Sequence, residues 1–151
     1  MPASADTLLF DDRLLVGHAA MDREHRAFAA GVNALLATRD VAFADALESF
    51  AQALREHFAL EERLSDEHRF PAGACHAEEH HKVLASLREV QLLVAQGDIS
   101  IGRELARALA DWFPGHAESM DASLANWVAR KTLGGAPVVL RRGLREALAA
   151  S

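Results

Sequence analysis

Four long stretches of this chain place apolar residues at every third or fourth position, and only short breakers separate them. That period lets an α-helix turn one face to a core. The first stretch runs from about Met21 to Thr38, with Phe28, Val32, Leu35 and Leu36 on one face. The second, from about Phe43 to Asp66, carries Leu47, Phe50, Leu54, Phe58 and Leu64 and stops at "RFPAG" (69–73). The third runs from about Ala74 to Gln96 and ends at Gly97-Asp98; the fourth starts near Ser100, read as its N-cap, and reaches about Arg130. Long helices joined by short loops must reverse direction at each loop. The chain is therefore read as all-α, an antiparallel up-down-up-down four-helix bundle. No alternating strand pattern competes with this, tyrosine is missing, and alanine and leucine dominate.

The flanks are of different character. "LLFDDRLLVGH" (8–18) reads as an N-terminal arm laid across the bundle. "LGGAP" (133–137) reads as a linker, and "VVLRRGLREALAA" (138–150) as a short C-terminal amphipathic helix weakened by Gly143. Residues 1–131 would then be the bundle with its arm, and residues 132–151 the linker and basic helix. Charge divides along similar lines: residues 1–129 hold 11 Lys/Arg against 21 Asp/Glu, and residues 130–151 hold 5 against 1. An acidic body argues against nucleic acid as a partner. The basic helix is expected to fold back on it, with a protein partner or an anionic membrane surface as the alternative; a monomer is expected. A single cysteine, Cys75, excludes an internal disulfide and points to a reducing, cytoplasmic setting. No secretory signal opens the chain, and no apolar run is long enough to span a bilayer.

Polar residues interrupt the apolar stripes at consistent places. On the second helix the stripe runs through His57 and Glu61, which lie four apart and so within about 40° of each other around the axis. His25 continues the stripe of Phe28, Val32 and Leu35. His76 and His80 lead into Val83, Leu84 and Leu87, and His116 extends Leu105, Leu109 and Trp112. Imidazole and carboxylate groups turned to a core are costly unless partnered. Here all four helices bring them, and Asp121 follows close behind His116. One shared metal site accounts for them together.

The densest piece, "HAEEHH" (76–81), allows several readings. His76, Glu79 and His80 match the inverted zinc-protease motif H-x-x-E-H, and Glu78 with His81 matches half of a ferritin-like di-iron pair. The protease reading leaves His25, His57, Glu61 and His116 without a role. The ferritin-like reading needs a second E-x-x-H, which "DREH" (22–25) supplies only imperfectly. Five imidazoles and two carboxylates exceed the needs of one tetrahedral zinc. Two six-coordinate ions sharing both carboxylates and a solvent oxygen would have about eleven of twelve positions filled. One position would stay open for a small ligand.

These residues resemble the hemerythrin family, its bacterial single-domain members in particular. The pattern is carried by "DREH" (22–25), "HFALEE" (57–62), "FP" (70–71), "HAEEH" (76–80) and "WFPGHAESMD" (112–121). The resemblance implies a di-iron protein that binds O2 reversibly for storage or delivery and is not an enzyme. His76, His80 and His116 would hold one iron, His25 and His57 the other, with Glu61 and Asp121 bridging. Phe58, Trp112 and Phe113 would wall the O2 pocket. Alternatives within the family are an O2 sensor acting through the C-terminal helix, and iron or nitric oxide handling.

Some residues depart from the family pattern or invite separate readings. Phe10 stands where the family has tryptophan, and Phe70 and Leu124 where it often has tyrosine. Pro114-Gly115 predicts a kink or break just before His116, and the five-residue step to Asp121 turns that residue about 140° away on an ideal helix. His81, Glu78 and Glu79 are expected at the surface, His68 in an exposed loop approach and Cys75 packed. His18 is read as structural, and Asp22 either orients His25 or caps the first helix.

Overall fold

The structure, a computed structural model, describes Leu8, Phe10, Asp11 and residues 14–133. The basic helix expected at 138–150, with whatever it docks on, lies outside them. Helix α1 spans Ala19–Ala37, α2 Asp40–Glu67, α3 Gly73–Ala95 and α4 Ile99–His116. A π-helical turn, Ala117–Asp121, then leads into α5, Ala122–Thr132. There is no strand among the described residues. Each of the first four helices packs on the next, and α4 returns to α1, which closes the expected bundle.

Local chemistry sets the boundaries. Gly17 takes a left-handed φ of 84° to turn the arm into α1. His18 then caps that helix, its Nδ1 accepting from the Met21 amide at 3.3 Å, so α1 starts two residues before Met21. At the α3–α4 turn Gly97 adopts φ 101°. The cap of α4 is Asp98, whose carboxylate accepts from the Ile101 amide at 3.1 Å, and not Ser100. The arm lies on the bundle as expected. Leu8 exchanges two hydrogen bonds with the Asn33 amide group, at 2.8 and 2.7 Å, and the Arg26 guanidinium sits 5.1 Å over the Phe10 ring.

Away from the histidines the core is apolar, with Phe43, Leu47, Ala51, Val32 and Ala106 at 1 % exposure or less. The buried face of α4 is Gly102, Ala106, Leu109, Phe113 and His116, which leaves Leu105 and Trp112 half-buried at its flank. Gly102 is needed for this close approach, since a Cβ there would run into the Phe43 ring. No helix of the described residues is long and apolar enough to cross a membrane.

Three further sequence expectations are corrected. α4 continues through Pro114 to His116, and the irregularity comes just afterwards as the π turn. There the Ala122 amide bonds back to the Ala117 carbonyl, five residues earlier. His68 is half-buried because α5 covers it: its Nδ1 donates to the Leu64 carbonyl at 2.9 Å, and its own carbonyl accepts from Trp127 Nε1 at 2.6 Å. Cys75 is exposed. With His76 turned inward, the preceding residue is rotated about 100° towards solvent.

Candidate metal centre

All seven sequence candidates converge. His25, His57, Glu61, His76, His80, His116 and Asp121 are each at most 4 % exposed. They form two groups of close-set donor atoms: Glu61, His76, His80, His116 and Asp121 in one, and His25, His57, Glu61 and Asp121 in the other. The two carboxylates belong to both.

The π turn is what brings Asp121 in. The i to i+5 hydrogen bonding accommodates an extra residue in the turn and reduces the rotation from His116 to Asp121, which brings the two to the same side. His116 Nε2 stands 3.0 Å from Asp121 Oδ1. The separation expected from an ideal helix is thereby removed. Serine hydroxyls bond backwards along this segment, Ser119 to the Gly115 carbonyl at 2.7 Å and Ser123 to the Ser119 carbonyl at 2.6 Å.

Each carboxylate divides its oxygens between the groups. Glu61 Oε2 lies 3.3 Å from His25 Nε2 and 3.1 Å from His57 Nε2, while Oε1 lies 3.2 Å from His80 Nε2. Asp121 Oδ2 is 3.0 Å from His25 Nε2, and its Oδ1 is 2.7 Å from His76 Nε2. Within the larger group, His76 and His80 each bring Nε2 to 3.3 Å from Nε2 of His116. Three imidazole nitrogens cannot satisfy one another, because each close pair holds at most one proton to share. Glu61 Oε1 and Asp121 Oδ2 receive no well-directed hydrogen bond in spite of these short distances. Buried, unpartnered donor atoms around one point fit a cation. Neighbouring ligands of a six-coordinate ion with bonds of about 2.1 Å stand about 3 Å apart, the spacing seen here.

Protonation among these side chains follows from the same contacts. Burial disfavours charge on His25, but the close Asp121 and Glu61 carboxylates outweigh this and lift its pKa to about 10. Burial and the Asp121 charge push Glu61 up, yet hydrogen bonds from His25 and His57 hold it below the usual carboxylate range. Asp121 is held well below that range: burial is overcome by His116, His25 and His76. Burial depresses His80, whereas His76, also buried, is raised by its bond to Asp121. The site therefore keeps two carboxylates ionised and attracts positive charge to them.

Surrounding groups orient the imidazoles. His25 Nδ1 donates to the Leu14 carbonyl at 2.9 Å, which fixes the ring with Nε2 facing the centre. The α1 cap is His18 and not Asp22. The Asp22 carboxylate accepts from the Val16 amide at 2.8 Å and so holds the arm that carries Leu14. Phe58 stacks on His80, with centroids 3.8 Å apart and planes 2° apart. Phe113 meets His25 edge-on at 5.1 Å, and Trp112 lies on His116 at 4.3 Å.

Sequence reasoning missed Phe28, which contacts His57 at 6.2 Å and Phe113 at 4.2 Å. Its place three residues after His25 was a readable signal. It also missed Glu79, expected at the surface but half-buried, whose Oε1 accepts from Trp112 Nε1 at 2.9 Å. His81 is exposed as expected, with its Nε2 3.5 Å from Glu62 Oε1.

The same arrangement of sequence is found in known proteins. Residues 16–128 match the family model described as the hemerythrin HHE cation binding domain. A bacteriohemerythrin of Ralstonia nicotianae (strain ATCC BAA-1114 / GMI1000) is 36 % identical over 122 residues, covering 81 % of this chain and 89 % of the relative. A bacteriohemerythrin of Stenotrophomonas maltophilia (strain R551-3) is 26 % identical over 125 residues, covering 80 % and 81 %. With a buried His/Glu/Asp cluster suited to a metal and a family match across most of its length, the chain belongs to the hemerythrin family.

Proposed function

We propose that this protein binds O2 reversibly, for storage or delivery, at a non-haem di-iron centre held by His25, His57, Glu61, His76, His80, His116 and Asp121. The observation that carries the reading is the division of each carboxylate between two groups of imidazoles. Two ions that share both carboxylates make use of every one of these contacts; a single ion leaves one group idle. When bound, the iron pair supplies the electrons that hold O2 and take part in its release.

The chain's own contribution is to keep that exchange reversible. The group with fewer imidazoles, His25 and His57, is the one with room for a ligand. Phe28 and Phe113 flank it, and Phe58 reaches His57 at 5.4 Å. An apolar recess of about 340 Å³ between α1 and α2, with Phe28, Phe50, Leu54 and His57 among its walls, adjoins the same side. Apolar surroundings keep out the water and protons that would drive irreversible oxidation. The Leu14 carbonyl holds His25 in the tautomer a metal needs. Trp112, by contrast, stacks on His116 in the other group.

The test is anaerobic loading with ferrous iron, followed by air and then argon. The expected result is about two irons per chain and a visible absorption band that appears in air and fades under argon over repeated cycles. A single irreversible oxidation would overturn reversible binding. Tight binding of one zinc with peptide hydrolysis would overturn the di-iron reading itself.

A further inference from the structure

Three groups meet at the outer edge of the three-imidazole half. His116 Nδ1 is buried and has no hydrogen-bond partner. Trp112, one turn earlier on α4, lays its indole on the His116 ring, with the planes 28° apart. Its Nε1–H crosses to α3 and donates to Glu79 Oε1 at 2.9 Å. That same oxygen stands 3.9 Å from His116 Nδ1.

An imidazole that offers its Nε2 lone pair to a metal carries its proton on Nδ1, and such a proton needs an acceptor. A carboxylate oxygen has two lone pairs, so Oε1 can serve Trp112 and His116 together. Closing the gap to hydrogen-bond length takes a movement of about 1 Å. The Glu79 side chain, at 35 % exposure, is not packed tightly enough to prevent it. We infer that Glu79 is a positioning residue for His116: it accepts the Nδ1 proton while the Trp112 indole holds the carboxylate in place. A negatively charged acceptor makes the imidazole a stronger donor to its metal and favours the oxidised centre. His25 differs in this respect, because its Nδ1 proton goes to a neutral carbonyl. The inference rests on the proposed role of His116 as an iron ligand.

The experiment compares the wild type with Glu79→Gln, Glu79→Asp, Trp112→Phe and the Glu79→Gln/Trp112→Phe double variant. Ferrous affinity is measured anaerobically against a competing chelator, and the reduction potential of the di-iron protein by redox titration. Glu79→Gln is expected to bind Fe2+ about 10- to 100-fold more weakly and to show a higher potential, because the charge is lost. Glu79→Asp keeps the charge with a shorter reach and should fall between. Trp112→Phe should have the smaller effect, and Glu79→Gln should keep its cost in that background. If Glu79 merely satisfies the indole, Glu79→Gln will cost nothing once Trp112 is gone, and the potential will match that of Trp112→Phe; this outcome overturns the inference. A wild type that loads with two irons beside a Glu79→Gln variant of unchanged affinity and potential overturns this role alone. A wild type that takes up no iron overturns the di-iron reading and this inference with it.

Discussion

Around His25 and His57 the cluster is bounded by Phe28 and Phe113 and borders an apolar recess, and the outer nitrogen of His25 is tied to a main-chain carbonyl. Around His76, His80 and His116 the partners are Phe58 and Trp112, with a carboxylate, Glu79, at the edge. One half has two imidazoles and largely apolar surroundings; the other has three and a carboxylate at its edge. On the proposed di-iron reading, the difference teaches how one bundle would treat two neighbouring ions unequally. On that reading the three-imidazole half would be the one that retains its ion. The two-imidazole half, with fewer ligands and an apolar approach, would then leave a position for something small.

The largest effect should come from the residues common to both halves. Glu61→Ala or Asp121→Ala removes oxygens from each group at once, so iron content should fall from about two per chain to well under one. Metal analysis after anaerobic loading and desalting measures this. Retention of one tightly held iron in both variants would show that the halves are independent, against the shared-carboxylate geometry.

A smaller effect should separate the halves. His25→Ala leaves its group a single imidazole, whereas His80→Ala leaves its group two. The first should hold about one iron and lose the air-dependent band; the second should still load about two, more weakly. Equal losses in the two variants would break the comparison. Smaller again is Asp22→Ala, which frees the Val16 amide and loosens the arm that carries the Leu14 carbonyl. Ferrous affinity at the two-imidazole half should drop about tenfold, with the saturating stoichiometry unchanged in a chelator titration.

Much of this contrast was legible in the chain because it rests on helical period. His57 and Glu61 declared themselves by interrupting a stripe at steps of three and four, and the other in-facing histidines did the same. What stayed hidden depends on contacts that period does not encode. Asp121 was assigned its role through the family resemblance and not by period: on an ideal helix it lies out of phase with His116, and the π turn brings the two together. Glu79 looked like a solvated residue because its partners, Trp112 and His116, come from another helix. The Leu14 carbonyl is invisible to any reading of side chains. The placement of the α4 cap at Asp98 turned on which of two capable residues met the Ile101 amide.

The smallest effect belongs to His81, which completes "HAEEHH" and sits beside His80 in sequence. On α3 it is rotated about 100° from its neighbour, and its side chain is 71 % exposed, with a 3.5 Å approach to Glu62 as its ion-pair contact. Exposed pairs of this kind contribute under about 1 kcal/mol. His81→Ala should therefore leave the melting temperature, iron content and both halves' affinities within error of the wild type. His80→Ala, one position away, should weaken loading clearly. Comparing these adjacent substitutions by iron titration asks whether the cluster is defined by helix face or by the density of histidines in the motif. A loss of iron in His81→Ala comparable to that in His80→Ala would mean that α3 presents a different face to the centre, and would undo the assignment of the three-imidazole half.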